Sequence, residues 1–367
     1  MTRECNRVGG INLGQGICDL PTPAPVRDGA IRAIEQRRST YSYAEGILEL
    51  RQAISAKLAR DNGIHAEAEG QVLVTTGSAA SFTCAIHALL DPGDGVIVPE
   101  PYYGYHVNAA IVAGLDVQSM HLEAPAFRLE EAALRASIKE NTRALLLCTP
   151  SNPSGRMLDR AELEMVAGVA REHDLLVITD EIYEYITYDG REHISPASVS
   201  DLAERTVSIM GLSKTFSITG WRLGYASGPA EMIEAMILVH DLFYICAPTP
   251  LQHGVAAGME LGPDYYQAMR EEYAAKRELL CSSLEEAGLP PIRPEGAYYV
   301  LADVSGMGKP TAREAALTIL NEVGVATVPG TAFYSSGGGQ NLVRLCYAKE
   351  FKDLEMACER LRGLGRS

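Results

Sequence analysis

Lys214 follows a strand-like apolar run, Thr206 to Met210, and Arg222 lies eight residues beyond it. A lysine placed just past a buried strand is desolvated, which lowers its pKa and frees the amine to attack a carbonyl. Arg222 carries a permanent, forked cation of the kind that grips phosphate. An aldehyde that also bears a phosphate, pyridoxal 5'-phosphate, needs both groups in one pocket. A second motif supplies what else that cofactor requires. Leu175 to Ile178 reads as a strand buried on both faces, and Asp180 sits at its end. An unpaired carboxylate there is costly, so it needs a hydrogen bond or a cation. A protonated pyridine nitrogen is such a cation, and a pyridinium ring accepts the electrons of a substrate carbanion. Tyr183 follows closely enough to bring a phenol near the ring oxygen. Alone, Asp180 would serve equally well as a helix cap; with Lys214 downstream the cofactor reading is the better one.

Other segments complete such a pocket. Gly77 to Ala80 ends a strand and starts a helix, so the backbone N–H groups of Ser78, Ala79 and Ala80 and the helix dipole point at an anion. The Ser78 hydroxyl adds a donor, although the same serine would also make an ordinary N-cap. Ser213 and Arg222 complete the phosphate cradle. Tyr103 is placed to lie on the ring face as an offset-stacked aromatic. Asn152, in a turn after a buried strand, is placed to donate to the ring oxygen together with Tyr183. Arg344 interrupts the apolar run Leu342 to Leu345, where a charge needs a partner. A bidentate bond to a substrate α-carboxylate supplies one.

Together these residues resemble the class I/II aminotransferases, of the fold-type-I group of pyridoxal-phosphate enzymes. The resemblance runs through nearly the whole chain in order: Gly14 to Gly16 with Asp19 to Pro23, Tyr41 to Gly46 leading into Leu48 to Arg51, and Thr75 to Ala80. It continues with Pro101 to Tyr103, Thr149 to Gly155, and Val343 to Leu345. It implies amino-group transfer between an α-amino acid and a 2-oxo acid. Lys214 is then the Schiff-base lysine and the base that moves the substrate Cα proton, Asp180 stabilises the ring, and Arg344 with the Gly16 backbone orients the substrate. Tyr41 is implied to reach the phosphate of a neighbouring subunit, which makes the active unit a homodimer with shared sites. The chain departs from the pattern at Gly211, where many relatives carry a serine; anchoring of the phosphate then leans more on Arg222. Two rivals share the fold: a β-eliminating lyase and a non-catalytic amino-acid-sensing module. Intact Lys214, and the lack of a basic DNA-binding segment, weigh against the second. Gly14 to Gly16 looks more like kynurenine, glutamine and methionine aminotransferases than strict aspartate enzymes.

The elements that must position these residues follow from composition and periodicity. With 367 residues, 47% of them hydrophobic, the chain can bury a substantial core and form two domains. Residues 46–262 alternate apolar runs with amphipathic stretches, the signature of a large α/β domain with a mostly parallel sheet and helices on both faces. Strands are expected around Val72, Gly95, Ala144, Leu175, Val207 and Leu223. Ligands of open α/β sheets bind at the carboxyl ends of the strands, where these motifs fall. A long helix opens at Gly262 and Pro263, with Tyr266, Met269, Tyr273, Leu280 and Leu284 at helical spacing. Residues 1–45 and 263–367 form the smaller α+β domain, with Ala297 to Leu301 and Leu342 to Leu345 as its strands. A net charge of -15 argues against nucleic acid. No apolar stretch is long enough to span a bilayer, and the first residues lack the apolar region of a signal peptide. The eight cysteines and eight histidines show no metal spacing, so no metal is expected. The histidines read as structural or solvated, and a reducing cytoplasm is the expected setting.

Overall fold

The structure, a computed structural model, describes residues 1–365. A two-residue strand, β1 (Ile11–Asn12), precedes the strands of the main sheet. These are β2 (Val72–Thr75), β3 (Gly95–Glu100), β4 (Asp116–His121), β5 (Thr142–Cys148), β6 (Leu176–Asp180), β7 (Thr206–Gly211) and β8 (Gly224–Ser227). Their order across this seven-stranded sheet is β2-β8-β7-β6-β5-β3-β4. Neighbours are parallel except at β8, which runs antiparallel to both β7 and β2. Six strands therefore end at one edge of the sheet and β8 begins there. The segments after β2, β3, β5, β6 and β7, and the one before β8, meet at that edge.

The apolar runs reflect burial on both faces. Successive side chains of a strand point to opposite sides. Accordingly, Ala144 and Leu146 of β5 pack with Phe82 and Ile233, whereas Leu145 and Leu147 pack with Leu163 and Val166. The helices Ser78–Leu89 and Ala230–Tyr244 cover the first face, and Arg160–Glu172 the second. That last helix begins with a capping box: Asp159 accepts the Glu162 N–H, and Glu162 accepts the Asp159 N–H. The strand absent from the expected set is β4. It is an outermost strand, paired on one side only, and its sequence, with Asp116, Gln118, Ser119 and His121 among its six residues, carries no apolar run.

The remaining strands are β9 (Pro291–Ile292), β10 (Tyr299–Asp303), β11 (Val325–Ala326), β12 (Val328–Pro329) and β13 (Leu342–Cys346). Four of them form an antiparallel sheet in the order β12-β13-β10-β9. The helix Pro263–Glu286 buries Tyr266, Met269, Tyr273, Leu280 and Leu284, as their spacing predicts, and carries its proline in the first turn. The N-terminal segment joins this region: β1 pairs in parallel with β11, and the Cys346 N–H donates to the Leu13 carbonyl at 2.7 Å. Gly14 to Gly16 are thereby carried over the edge of the main sheet. Among the described residues, no helix is long and apolar enough to cross a membrane, and no group of three or more His, Cys, Asp or Glu could hold a metal.

Candidate active site

At the sheet edge lies a cavity of about 440 Å³, walled by Lys214, Asp180, Arg222 and Arg344 among others. Lys214 sits in the single helical turn Leu212–Thr215, which starts where β7 ends. Its Nζ donates to the Gly16 carbonyl at 3.2 Å and lies 5.5 Å from the centre of the Tyr298 ring. Burial holds its pKa below the ordinary lysine value of 10.5, as a nucleophilic amine requires. Asp180, the last residue of β6, is buried. One carboxylate oxygen lies 3.0 Å from His106 Nε2, and the other accepts the Ile182 N–H at 3.3 Å. Tyr183 donates its hydroxyl to Tyr299 at 3.2 Å, and burial pushes its pKa well above 10.0, so the phenol keeps its proton.

Opposite, the helix Ser78–Leu89 has glycine at its N-cap and no capping side chain, and Ser78 and Ala79 at its start line the cavity. Arg222 precedes β8 with a left-handed φ of 55° and donates to the Thr219 carbonyl at 3.0 Å. A Cβ on Gly77, itself at φ +82°, would lie 2.7 Å from the guanidinium of Arg222. A Cβ on Gly224 would lie 2.5 Å from the Ser78 nitrogen. The two glycines thus let a helix start and an arginine close on one spot, an arrangement suited to phosphate. Ser213 lines the same wall.

Arg344 reaches the cavity from β13 and is nearly buried. Its fork donates from Nη1 to Asn152 Oδ1 at 2.8 Å and from Nη2 to the Gly14 carbonyl at 2.6 Å. The guanidinium lies 4.2 Å from the Tyr299 ring centre and 4.9 Å from that of Phe333, which fixes its plane. Tyr103 lines the cavity, stacked on Tyr105 at 5.2 Å. Gly16 comes so close to Tyr299 that a Cβ there would fall 1.8 Å from the phenolic oxygen.

Three expected residues do not line the cavity of their own chain. Ala80 is buried, and its N–H donates to the Gly77 carbonyl at 2.9 Å, so it offers the cavity no donor. Asn152 stands behind Arg344 as its hydrogen-bond partner. Tyr41 is 79% exposed on the outer surface, away from the cavity of its own chain. Three contributors escaped the sequence reading. His106, read as structural or solvated, is buried against Asp180; its spacing of three from Tyr103, at a helix start, was the available signal. Tyr298 and Tyr299 read only as strand residues, because nothing local shows that a core strand passes beneath the cavity. At Gly211, an added Cβ would lie 2.8 Å from Cβ and Cγ2 of Ile182, so the space a serine would need is filled.

The fold and the site define a fold-type-I aminotransferase. The chain matches the family model of aminotransferase class I and II over residues 8–361, and it belongs to that family. It is 36% identical to an aspartate aminotransferase of Pyrococcus abyssi across 96% of this chain and 90% of that protein. It is 35% identical to an aromatic-amino-acid aminotransferase of Thermococcus litoralis, again across 96% and 90%. The solved N-succinyldiaminopimelate aminotransferase of Mycobacterium tuberculosis superposes with a TM-score of 0.96 at 32% identity, covering 99% of this chain and 95% of that one. The chain is therefore an enzyme that moves an amino group, and these likenesses favour transfer over elimination or sensing.

Proposed function

We propose that this aminotransferase carries pyridoxal 5'-phosphate in the cavity at the sheet edge and exchanges amino groups between an α-amino acid and a 2-oxo acid there. The observation that carries this reading is the convergence of Lys214, Asp180, Arg222 and Arg344 on one cavity from separate elements. The donor set fits the cofactor: an amine of lowered pKa, a buried carboxylate, and a cradle at Gly77 that a side chain would fill. When bound, the cofactor supplies an electron-withdrawing ring. Ser78, Ala79, Ser213 and Arg222 hold the phosphate. Asp180, steadied by His106, faces the ring nitrogen. Tyr183 faces the ring oxygen, Asn152 holds the Arg344 fork from behind, and Tyr103 covers the ring. Lys214 would provide the amine that holds the cofactor's aldehyde carbon and, as a free amine, would take the proton from the substrate Cα. Arg344 and the Gly16 backbone hold the substrate carboxylate.

The same reading makes the active unit a homodimer. Leu238 and Leu242, four residues apart on the helix Ala230–Tyr244, are exposed together with Phe243, and Tyr41 and Tyr43 are exposed as well. Exposed apolar surface of this kind marks an interface, and across it Tyr41 would complete the partner's site. Division into a domain of residues 46–262 and one of residues 1–45 with 263–367 is supported by the confinement of the main sheet to 72–227 and of the smaller antiparallel sheet to 291–346. Eight unpaired cysteines support a reducing setting such as the cytoplasm. The test is covalent: borohydride reduction of the loaded protein and peptide mapping should place the label on Lys214. A label on another lysine refutes the assignment. A panel of amino donors with pyruvate and 2-oxoglutarate then names the substrates.

A further inference from the structure

The turn that follows β6 has two faces, and the chemistry above uses only one. Asp180, Ile182 and Tyr183 line the cavity. Glu181 and Glu184, from the same turn, point away from it into a buried polar network. Glu184 receives Lys57 Nζ on both carboxylate oxygens, and Asn62 Nδ2 at 2.8 Å. Asn62 donates from the same nitrogen to Ser195 Oγ at 2.8 Å, and Ser195 donates to Glu181 at 2.6 Å. Glu181 also accepts from Thr179 at 2.6 Å and lies 2.7 Å from His193 Nε2. Lys57 is held further by Asn62 Oδ1 at 2.8 Å and the Tyr225 hydroxyl at 3.2 Å. Burial pushes the Glu181 pKa up, but His193 and the two hydroxyls outweigh it and leave the carboxylate ionised.

Burying two carboxylates and a lysine is an inefficient way to stabilise a fold, because desolvation offsets most of the attraction. What such a network does supply is a fixed position. The turn is tight: the Glu184 N–H donates to the Glu181 carbonyl at 3.0 Å, and the Ile186 N–H to that of Tyr183 at 2.8 Å. The Glu181 N–H is tied to Ile209 of β7 at 2.9 Å. Its two faces therefore cannot move independently. The geometry points to Glu181 and Glu184 as positioning residues for amino transfer, anchored through Lys57, Asn62, Ser195 and His193 so that Asp180 and Tyr183 keep their place against the cofactor. This inference rests on the reading of Asp180 and Tyr183 as cofactor contacts.

The test separates position from stability. Replacing a buried ion pair by apolar residues of similar volume often leaves a fold as stable as before. Lys57→Met combined with Glu184→Met should therefore unfold thermally near the wild-type temperature. Its visible absorption band should nevertheless show a shifted pH midpoint. Turnover should fall on the order of 10- to 100-fold, the scale for a reacting group displaced by about 1 Å, with KM for the amino donor unchanged. A stable double variant with wild-type band and kcat overturns the proposal. If the double variant does not fold, Glu181→Gln decides: a shifted midpoint supports positioning, and an unchanged one refutes it. Asp180→Asn serves as the control. Were it to leave band and turnover untouched, the cofactor reading of that residue would fail, separately from this inference.

Discussion

Arg344 offers the sharpest test of transfer, because both the amino donor and the oxo acceptor carry an α-carboxylate and one arginine must serve both. Truncating one partner of a buried, hydrogen-bonded charge pair costs about 2–5 kcal/mol. At 1.36 kcal/mol per tenfold, that is about 30-fold to several thousand-fold in kcat/KM. The structure favours the upper half of that span. Arg344 is only 7% exposed, its fork is held by Asn152 and Gly14, and two aromatic rings fix its plane, so it meets a carboxylate desolvated and already oriented. Arg344→Ala should therefore lose about 400-fold or more in kcat/KM for donor and acceptor alike, when each half-reaction is followed by stopped-flow absorbance. Arg344→Lys, which keeps the charge but loses the fork, should fall between. The visible band of the resting protein should survive in both variants, since the proposed phosphate cradle at Arg222 and the helix start is left intact. A defect confined to the donor, or ammonia released in place of a new amino acid, would refute the reasoning.

Lys214→Ala should lose both the visible band and activity, and a band that persisted would point to another lysine. Because burial lowers the Lys214 pKa, its neutral amine is present at lower pH than that of a free lysine. Capture of cofactor by the apoprotein should then accelerate as pH rises, with a midpoint below 10.5; a midpoint at or above that value would show an amine still in water. Asp180→Asn should retain the cofactor, as measured by equilibrium dialysis, and lose turnover by orders of magnitude in a half-reaction assay, where near-normal turnover would give Asp180 another task. Mixing Lys214→Ala with Tyr41→Phe subunits should yield hybrids whose two sites are unequally damaged, and a fully active monomer in sedimentation would end the shared-site reading.

Much of this was legible along the chain because the chemistry sits where apolar runs stop. Asp180 closes a strand, and Lys214, Ser78 and Tyr103 each follow one or open the next helix, so local pattern located them. What stayed hidden depends on contacts between distant segments. His106 meets Asp180 across 74 positions of sequence (180 minus 106), and Tyr299 meets Tyr183 across 116. The edge strand β4 was missed for the opposite reason: it lacks neighbours on one side and needs no continuous apolar run. The antiparallel course of β8 was likewise invisible, since its residues read the same in either direction. Ala80 illustrates a limit of motif reading, for it sits in the first turn of the helix after β2, where its N–H is already taken by the Gly77 carbonyl.

The packing of Ile182 against Gly211 has a consequence for how this sequence can drift. A hydroxyl-bearing residue cannot be admitted at 211 by itself, because the isoleucine occupies the volume it would need. The two positions form a lock in which the order of changes matters: Ile182 must first shrink, to valine or alanine, before Gly211→Ser becomes tolerable. Each intermediate lies between Asp180 and Tyr183, where a loose side chain disturbs the ring contacts. An engineer grafting that hydroxyl into this pocket therefore has to shrink Ile182 as well.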